Sequence, residues 1–552
     1  MGSVVDPSHD GFMQPAAEPS GIPALVRALC AMVRFILLRW ETEFTPCTGI
    51  TAVTRQERRH IKNALMIAPW CPLLGRQQAL PNDAVVNTGW QFAFAGGLTC
   101  YVHATPPDSL MPVLYIEVPG HFKGLASPYD VAEEALSHDA LIFGLAVERL
   151  LELLGYPGRV LWGADWECVP ALVLLRTRYD TAVTIHNVFD RSLHTAAISY
   201  GTIYDCFQQA SSAHTGSKTA LEVGIEAADT VMTVNPGFAR GLRMERLHRD
   251  VTADHLQHLL SRVVGVTNGP FSPLAESTVA LRSLLLADFA SGKARLFALR
   301  ASALAALPPA VRQCAENRVL VVAMGRRVAQ KLHDVLVDTV RSLLAGDPGL
   351  PLAVVFATTH GDDGSPARLE RIALLQQEFP HNVLTFDGRL SFYPQLMAAA
   401  DFNCMPSLYE PHGGAFESTI IPIARAVDGL AEQICALAPA GAARIINESG
   451  HEPGASPSGF LFREEEPQSQ ATELFRDLLT QSPTPRNSLF HAMVRALSDV
   501  LLQAIECRRH DEDAYARLVL AALERHDAYS WQANWGGVVA LVEAARARKL
   551  LA

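Results

Sequence analysis

Positive charge is too scarce here for a general nucleic-acid binder: 46 Lys and Arg stand against 57 Asp and Glu, a formal net charge of -11. Phosphate-backbone contacts need a basic surface, although backbone amides and a few local cations suffice to hold one nucleotide. No two cysteines have the CxxC spacing of a zinc site or a redox pair; they fall at 30, 47, 71, 100, 168, 206, 314, 404, 435 and 507. Scattered in this way, they read as reduced thiols of a cytoplasmic protein. Long uninterrupted apolar runs are missing too. The most apolar early segment, residues 21–40, is broken by Arg27, Arg34 and Arg39, so it is expected neither to span a bilayer nor to act as a cleaved signal. No short-period repeat or low-complexity tract is visible. The expectation is a soluble, cytoplasmic protein with no nucleic-acid or membrane partner.

What is present is an ordinary globular composition, 49% hydrophobic and 19% charged, on a chain of 552 residues. That length exceeds one hydrophobic core and calls for at least two domains. Residues 1–22, with three prolines among Gly and Ser, read as a flexible tail. Short apolar runs then alternate with segments of helical period, the pattern of a parallel α/β sheet. Val33–Leu38, Ala64–Ala68, Val113–Ile116, Arg159–Trp162, Thr181–Ile185 and Thr230–Val234 form a first series. After an Ala/Leu-rich helical stretch between Gly269 and Asn317, a second runs through Val319–Ala323, Leu352–Phe356, Asn382–Phe386, Phe402–Met405 and Ile420–Ile423. From about residue 465 onward the chain reads as mostly helical. Residues 23–275 and 276–552 are the expected N-terminal and C-terminal Rossmann-like domains, with a ligand cleft at their junction.

Chemistry concentrates in Met405-Pro-Ser-Leu-Tyr-Glu-Pro-His-Gly-Gly-Ala-Phe-Glu417. A strand ends at Met405, and Tyr409, Glu410, His412, Gly413 and Gly414 lead into an expected helix. Two glycines there let backbone amides approach a ligand, and the helix start favours an anion. A buried Glu410 could stabilise an oxocarbenium-like sugar or hold ribose hydroxyls; the plainer alternative is a turn with a capping acid. Arg326 and Lys331, in Gly325-Arg-Arg-Val-Ala-Gln-Lys331, could stabilise phosphate charge as a bond to it breaks. Their plainer alternative is a solvated helix start.

These segments resemble those of the glycogen and starch synthase family of retaining glycosyltransferases. The first matches its Glu-Pro-x-Gly loop and the second its Ser-Arg-Leu-x-x-Gln-Lys motif. Others follow in the family's order: Gly163-Ala-Asp-Trp166 for His-Asp-Trp, Thr184-Ile-His-Asn187, Ala228-Asp-Thr-Val-Met-Thr-Val-Asn-Pro236, Thr267-Asn-Gly269, Ser291-Gly-Lys-Ala294, Val427-Asp-Gly-Leu430, Ser458-Gly-Phe-Leu-Phe462 and Tyr529-Ser-Trp531. The resemblance implies an α/β fold of GT-B type: two Rossmann-like domains facing across a cleft, with the last helix crossing back. It implies glucose transfer from ADP-glucose or UDP-glucose to the non-reducing end of an α-1,4-glucan. In that reading Glu410, His186, Arg326 and Lys331 are the catalytic set. Gly49, Tyr129, Asp165, Asn187, Asn268, Tyr409, His412, Gly413 and Gly414 bind substrate. No cofactor and no metal are implied, since no acidic ligand set stands beside the phosphate motif; Asp362-Asp363 is an unplaced acidic pair.

The sequence also departs from the family. Where the first strand should lead into Lys-x-Gly-Gly-Leu, it carries Phe44-Thr-Pro-Cys-Thr-Gly-Ile50, with Pro46 in place of the lysine and Gly49 as a lone glycine. Proline supplies neither a charge nor an amide hydrogen. Ser418 stands where related enzymes carry a second Glu, and Glu417 is one residue early. Two rival readings follow: a related transferase with a small-sugar, sugar-phosphate or other acceptor, and a non-catalytic homologue that binds glucan or nucleotide.

Overall fold

The computed structural model describes residues 21–45, 49–71, 84–106, 110–124, 131–186, 220–244, 259–271, 274–361, 364–388, 390–413, 421–426, 434, 457–464 and 487–551. The chain divides into two compact units, residues 1–183 with 192–229, and residues 184–191 with 230–552.

The first unit is built on strands β1 (Phe35–Leu38), β2 (Ala64–Pro69), β3 (Val86–Phe94), β4 (Leu98–Ala104), β5 (Val113–Glu117), β6 (Val160–Ala164) and β7 (Asp180–Thr184). They lie in the order β3-β4-β5-β2-β1-β6-β7. β1 runs parallel to both β2 and β6, which makes it the centre of the sheet. All four of its residues are buried, as a strand covered on both faces requires. The helix Glu133–Leu153 packs on Val169–Leu175, which in turn packs on Ala220–Ala227. The hairpin β3–β4 is antiparallel and was not expected from the apolar runs. Its burial alternates instead, with Trp90, Phe92 and Phe94 inward and Gln91 and Ala93 outward.

In the second unit, β8 (Thr230–Thr233) and β9 (Val263–Gly265) form a parallel pair. The main sheet holds β10 (Val319–Arg326), β11 (Leu352–Thr359), β12 (Val383–Asp387), β13 (Phe402–Met405), β14 (Ile421–Arg425) and β15 (Phe460–Phe462). Its order is β12-β11-β10-β13-β14-β15, parallel throughout. This is the doubly wound order, and its direction reverses between β10 and β13.

Asp401 ties this sheet to the C-terminal helices. Fully buried, it accepts from Leu320 N at 2.8 Å, from Arg508 Nε at 2.6 Å and from Arg300 Nη2, while Tyr515 donates to its carbonyl at 3.1 Å. Two guanidinium partners and a backbone amide offset the desolvation of one carboxylate. Among the described residues, one helix, Ser488–His510, is long and apolar enough to cross a membrane. Nine of its side chains, Leu489 and Phe490 among them, are buried, and it packs on the helix His333–Gly346. The seven described cysteines are free thiols. Burial pushes the thiols of Cys71, Cys100, Cys168 and Cys404 up, so they stay protonated and unreactive.

The final helix, Trp531–Leu551, is fastened to residues 267–270. Trp531 Nε1 donates to Pro270 O at 2.7 Å and Asn534 Nδ2 to Thr267 O at 2.8 Å. A Cβ on Gly269 would sit 2.4 Å from Trp531 N, so only glycine permits this approach.

Candidate functional site

The strongest convergence lies at the β10/β13 reversal, at the carboxyl ends of both strands, where open α/β sheets bind ligands. β10 delivers Arg326 as its last residue. A 3-10 turn, Ala329–Lys331, then brings Lys331 back toward the sheet. It closes on Leu332, whose φ of 46° and ψ of 38° lie in the left-handed region. A leucine there costs on the order of 1 kcal/mol, a local strain that fixes where the next helix begins.

β13 ends at Met405 and its loop carries Glu410 inward to 4% exposure. Lys331 Nζ donates to Glu410 Oε1, and Ser407 Oγ donates to the same oxygen at 2.7 Å. The loop is held from two sides. Leu408 N donates to Gln330 O at 2.8 Å and Gln330 Nε2 to Tyr409 O at 3.1 Å, knitting it to the lysine turn. From β14, Arg425 Nη1 donates to Leu408 O at 2.7 Å while the rest of its guanidinium grips Glu464 bidentately. Burial raises the Glu464 carboxyl, but Arg425 outweighs it and the net shift is downward, so the buried pair is ionised. Tyr409 is itself buried, and its carbonyl accepts the Gln330 bond. His412 is buried with its ring 5.5 Å from that of Phe271, and Gly413 takes a positive φ of 73°.

Arg326 is exposed, whereas the next residue, Arg327, is buried and donates to Thr358 Oγ1 at 3.0 Å and Asp387 Oδ1 at 2.7 Å. Behind them His333 is buried. Loss of hydration, with the charges of Lys331, Arg327 and Arg368 adding to it, lowers its imidazole to about 4, so it is neutral at pH 7. The end of β10 is therefore rich in cations and faces one buried carboxylate. That suits a ligand carrying both a phosphate and a hydroxylated ring.

His186 stands two residues after β7. Ile185 N donates to Met232 O at 2.8 Å and Thr233 Oγ1 donates to Ile185 O at 2.7 Å, so the strand end that presents His186 is clamped to β8. Asn235 accepts from Gly237 N at 2.7 Å, acting as the cap of the helix Pro236–Met244. Asn268 is buried, with its backbone N donating to Val234 O at 3.2 Å and its Oδ1 3.5 Å from Asn534 Nδ2.

In the first unit the strand order reverses at β1/β6, and the loops after these strands carry Gly49 and Asp165. Asp165 has φ 56° and ψ -175°, a region almost reserved for glycine. Strain of about 1–3 kcal/mol is thus held at a polar residue beside a switch point. Gly49 opens the helix Gly49–His60. Two arginines that flank Pro46 in sequence, Arg39 and Arg58, are paired with carboxylates. Arg39 is buried against Glu57 at 2.6 Å and 2.9 Å and lies over the Trp162 ring, and Arg58 is buried against Glu43. Tyr129, Asn187, Gly414, Glu417, Ser418 and Asp362-Asp363 lie outside the described residues.

Sequence reading missed Ser407, Arg425 and Glu464. Ser407-x-x-Glu410 has the spacing of a reciprocal Ser/Glu pair and could have been flagged. Arg425, a lone cation ending an apolar strand, was a weaker signal.

Residues 62–261 match the family described as the starch synthase catalytic domain. The chain is 26% identical over 373 residues to the glycogen synthase of Lactococcus lactis, covering 63% of this chain and 72% of that protein. It is 28% identical over 412 residues to the glycogen synthase of Thioalkalivibrio sulfidiphilus, covering 70% and 79%. With that of Lacticaseibacillus casei the identity is 26% over 321 residues, covering 53% of this chain and 62% of the other. Its fold is similar to the catalytic domain of starch synthase IV from Arabidopsis thaliana, a structure bound to ADP and acarbose. The TM-score is 0.63 at 17% identity, over 94% of this chain and 100% of that one. An α,α-trehalose 6-phosphate synthase from Burkholderia multivorans gives 0.51 at 13% identity, over 94% and 100%.

Proposed function

We propose, from the premise that this chain is a divergent member of the glycogen and starch synthase family with a GT-B type α/β fold, that it is a retaining glucosyltransferase. It moves glucose from ADP-glucose or UDP-glucose to the non-reducing end of an α-1,4-glucan. The observation that carries the reading is the Lys331–Glu410 pair, with Arg326 beside it, at the switch point of the second sheet.

In this mechanism Arg326 and Lys331 neutralise the diphosphate as the glycosidic bond breaks, lowering the barrier where charge develops. Glu410 faces the sugar and stabilises its positive character, held in place by Ser407 and Lys331. His186 holds the transferred sugar. Gly49, Tyr129, Asp165, Asn187, Asn268, Tyr409, His412, Gly413 and Gly414 make up the substrate contacts. Residues 23–275 are proposed as the acceptor-side domain and 276–552 as the nucleotide-sugar domain of a cytoplasmic enzyme.

A second reading, a non-catalytic glucan- or nucleotide-binding homologue, is favoured by Pro46 and by the engagement of Arg39 and Arg58 with Glu57 and Glu43. A screen of ADP-, UDP- and GDP-sugars with glycogen, maltose or no acceptor separates the two. Nucleotide release that depends on a saccharide acceptor supports the enzyme, and binding without turnover supports the homologue.

A further inference from the structure

The second sheet also carries a cavity of about 860 Å³ at its opposite edge. Arg318 precedes β10 and His381 lies just before β12, so the cavity opens at the amino ends of these strands. β10 has eight residues, so Arg318 and Arg326 lie about 25 Å apart along the strand. This is not the site at the β10/β13 reversal.

Four of the side chains around the cavity are cationic or can become so: Arg318, Arg509, His381 and His510. Glu316 is the one carboxylate on the rim. The two guanidiniums are held by backbone carbonyls. Arg318 Nη1 donates to Cys314 O at 3.0 Å and Arg509 Nη1 to Asn317 O at 3.0 Å. Among the described residues neither Arg318 nor Arg509 has a carboxylate partner. Each therefore keeps Nε and Nη2 for another acceptor, pointing from a fixed stem. The two guanidiniums stand unneutralised although the chain as a whole carries a net charge of -11. Gln313 adds hydrogen-bonding capacity, and Pro380 and Leu384 form an apolar wall. The volume suits a small organic ligand.

We infer that this cavity binds a small phosphate-bearing molecule, with its phosphate between Arg318 and Arg509 and its body against the apolar wall. A fork of fixed guanidinium donors matches the oxygens of a phosphate bidentately.

Titration calorimetry on the full chain tests this with four probes: inorganic phosphate, pyrophosphate, ribose 5-phosphate and AMP. The Lys331→Ala variant serves as the background, so that anion binding at the β10/β13 reversal is suppressed. The expected result is saturable binding in that background, with AMP or ribose 5-phosphate tighter than inorganic phosphate. Adding Arg509→Gln should weaken it roughly ten-fold or more, the scale of one charge-assisted contact. His381→Gln should weaken it less. The melting temperature without ligand should not move with Arg509→Gln, since Arg509 is exposed. Inorganic phosphate binding as tightly as the organic probes would remove the body-binding claim. No binding of any probe at millimolar concentration, or affinity unmoved by both substitutions, would overturn the inference. Neither result bears on nucleotide-sugar turnover, which is measured separately in the unsubstituted protein.

Discussion

Lys331 Nζ donates to Glu410 Oε1 across 79 residues of sequence, and the carboxylate it meets is 4% exposed. Lys331 is thus not a free cation on an open surface. Replacing it with Ala should lower turnover by roughly two to three orders of magnitude, as the loss of an electrostatic transition-state contact does. It should also cost stability, because among the described residues the buried Glu410 then keeps only the Ser407 hydroxyl. A loss of about 1–3 kcal/mol is expected, partly restored in Lys331→Ala/Glu410→Gln. Urea titrations of the two single variants and the double variant measure the coupling. Additive losses would mean that the pair contributes nothing. Arg326→Ala, at an exposed position, should lose activity with little change in stability.

Arg425 reaches the loop that carries Glu410 through Leu408 O while neutralising Glu464. Arg425→Met should therefore destabilise by about 3–5 kcal/mol, the cost of leaving a buried carboxylate unpaired. Arg425→Met/Glu464→Leu should recover much of that stability but not turnover, since the Leu408 contact stays broken. Recovery of both would reduce Arg425 to a structural role.

His333 gives a pH dependence of definite sign. The unfolded chain takes up its proton near 6.5 and the folded protein only near 4. Between those values the unfolded state binds more protons, so stability is full above 6.5 and falls as pH drops toward 4. The loss of unfolding free energy from about pH 7 to about pH 5 should be smaller in His333→Gln than in the unsubstituted protein. Identical losses would contradict the neutral, buried assignment.

Asp165 holds a backbone conformation that glycine tolerates better. Asp165→Gly should raise the melting temperature, by relief of about 1–3 kcal/mol of strain, while lowering transfer. Asp165→Asn keeps the strain and separates backbone from charge. A destabilised Asp165→Gly would show that side-chain contacts outweigh the strain.

How much of this was legible in the sequence follows from what each element needs. Buried parallel strands such as Val319–Arg326 and Phe402–Met405 must be apolar on both faces, so they stand out as continuous runs. The β3–β4 hairpin buries one face, and its alternation Trp90, Phe92, Phe94 escapes a search for runs, although Gly96-Gly97 marked the turn. β9 and β15 are three residues long, too short for any period. Glu410, Arg326 and Lys331 were found through the loops that carry them. Ion pairs such as Arg425–Glu464 join residues 39 apart and leave no local spacing to read. The strain at Leu332 was invisible because nothing in the sequence marks a leucine for that conformation.

The central claim is that Glu410 is the indispensable carboxylate of glucosyl transfer. Transfer of labelled glucose from ADP-glucose and UDP-glucose to glycogen, measured for the unsubstituted chain, Glu410→Ala and Glu417→Ala, tests it most directly. Glu417 lies seven positions further on, about 10 Å along a helix axis if the expected helix forms there. Transfer is expected with at least one donor, with its loss in Glu410→Ala and most of it kept in Glu417→Ala. Full transfer by a folded Glu410→Ala protein would contradict the claim.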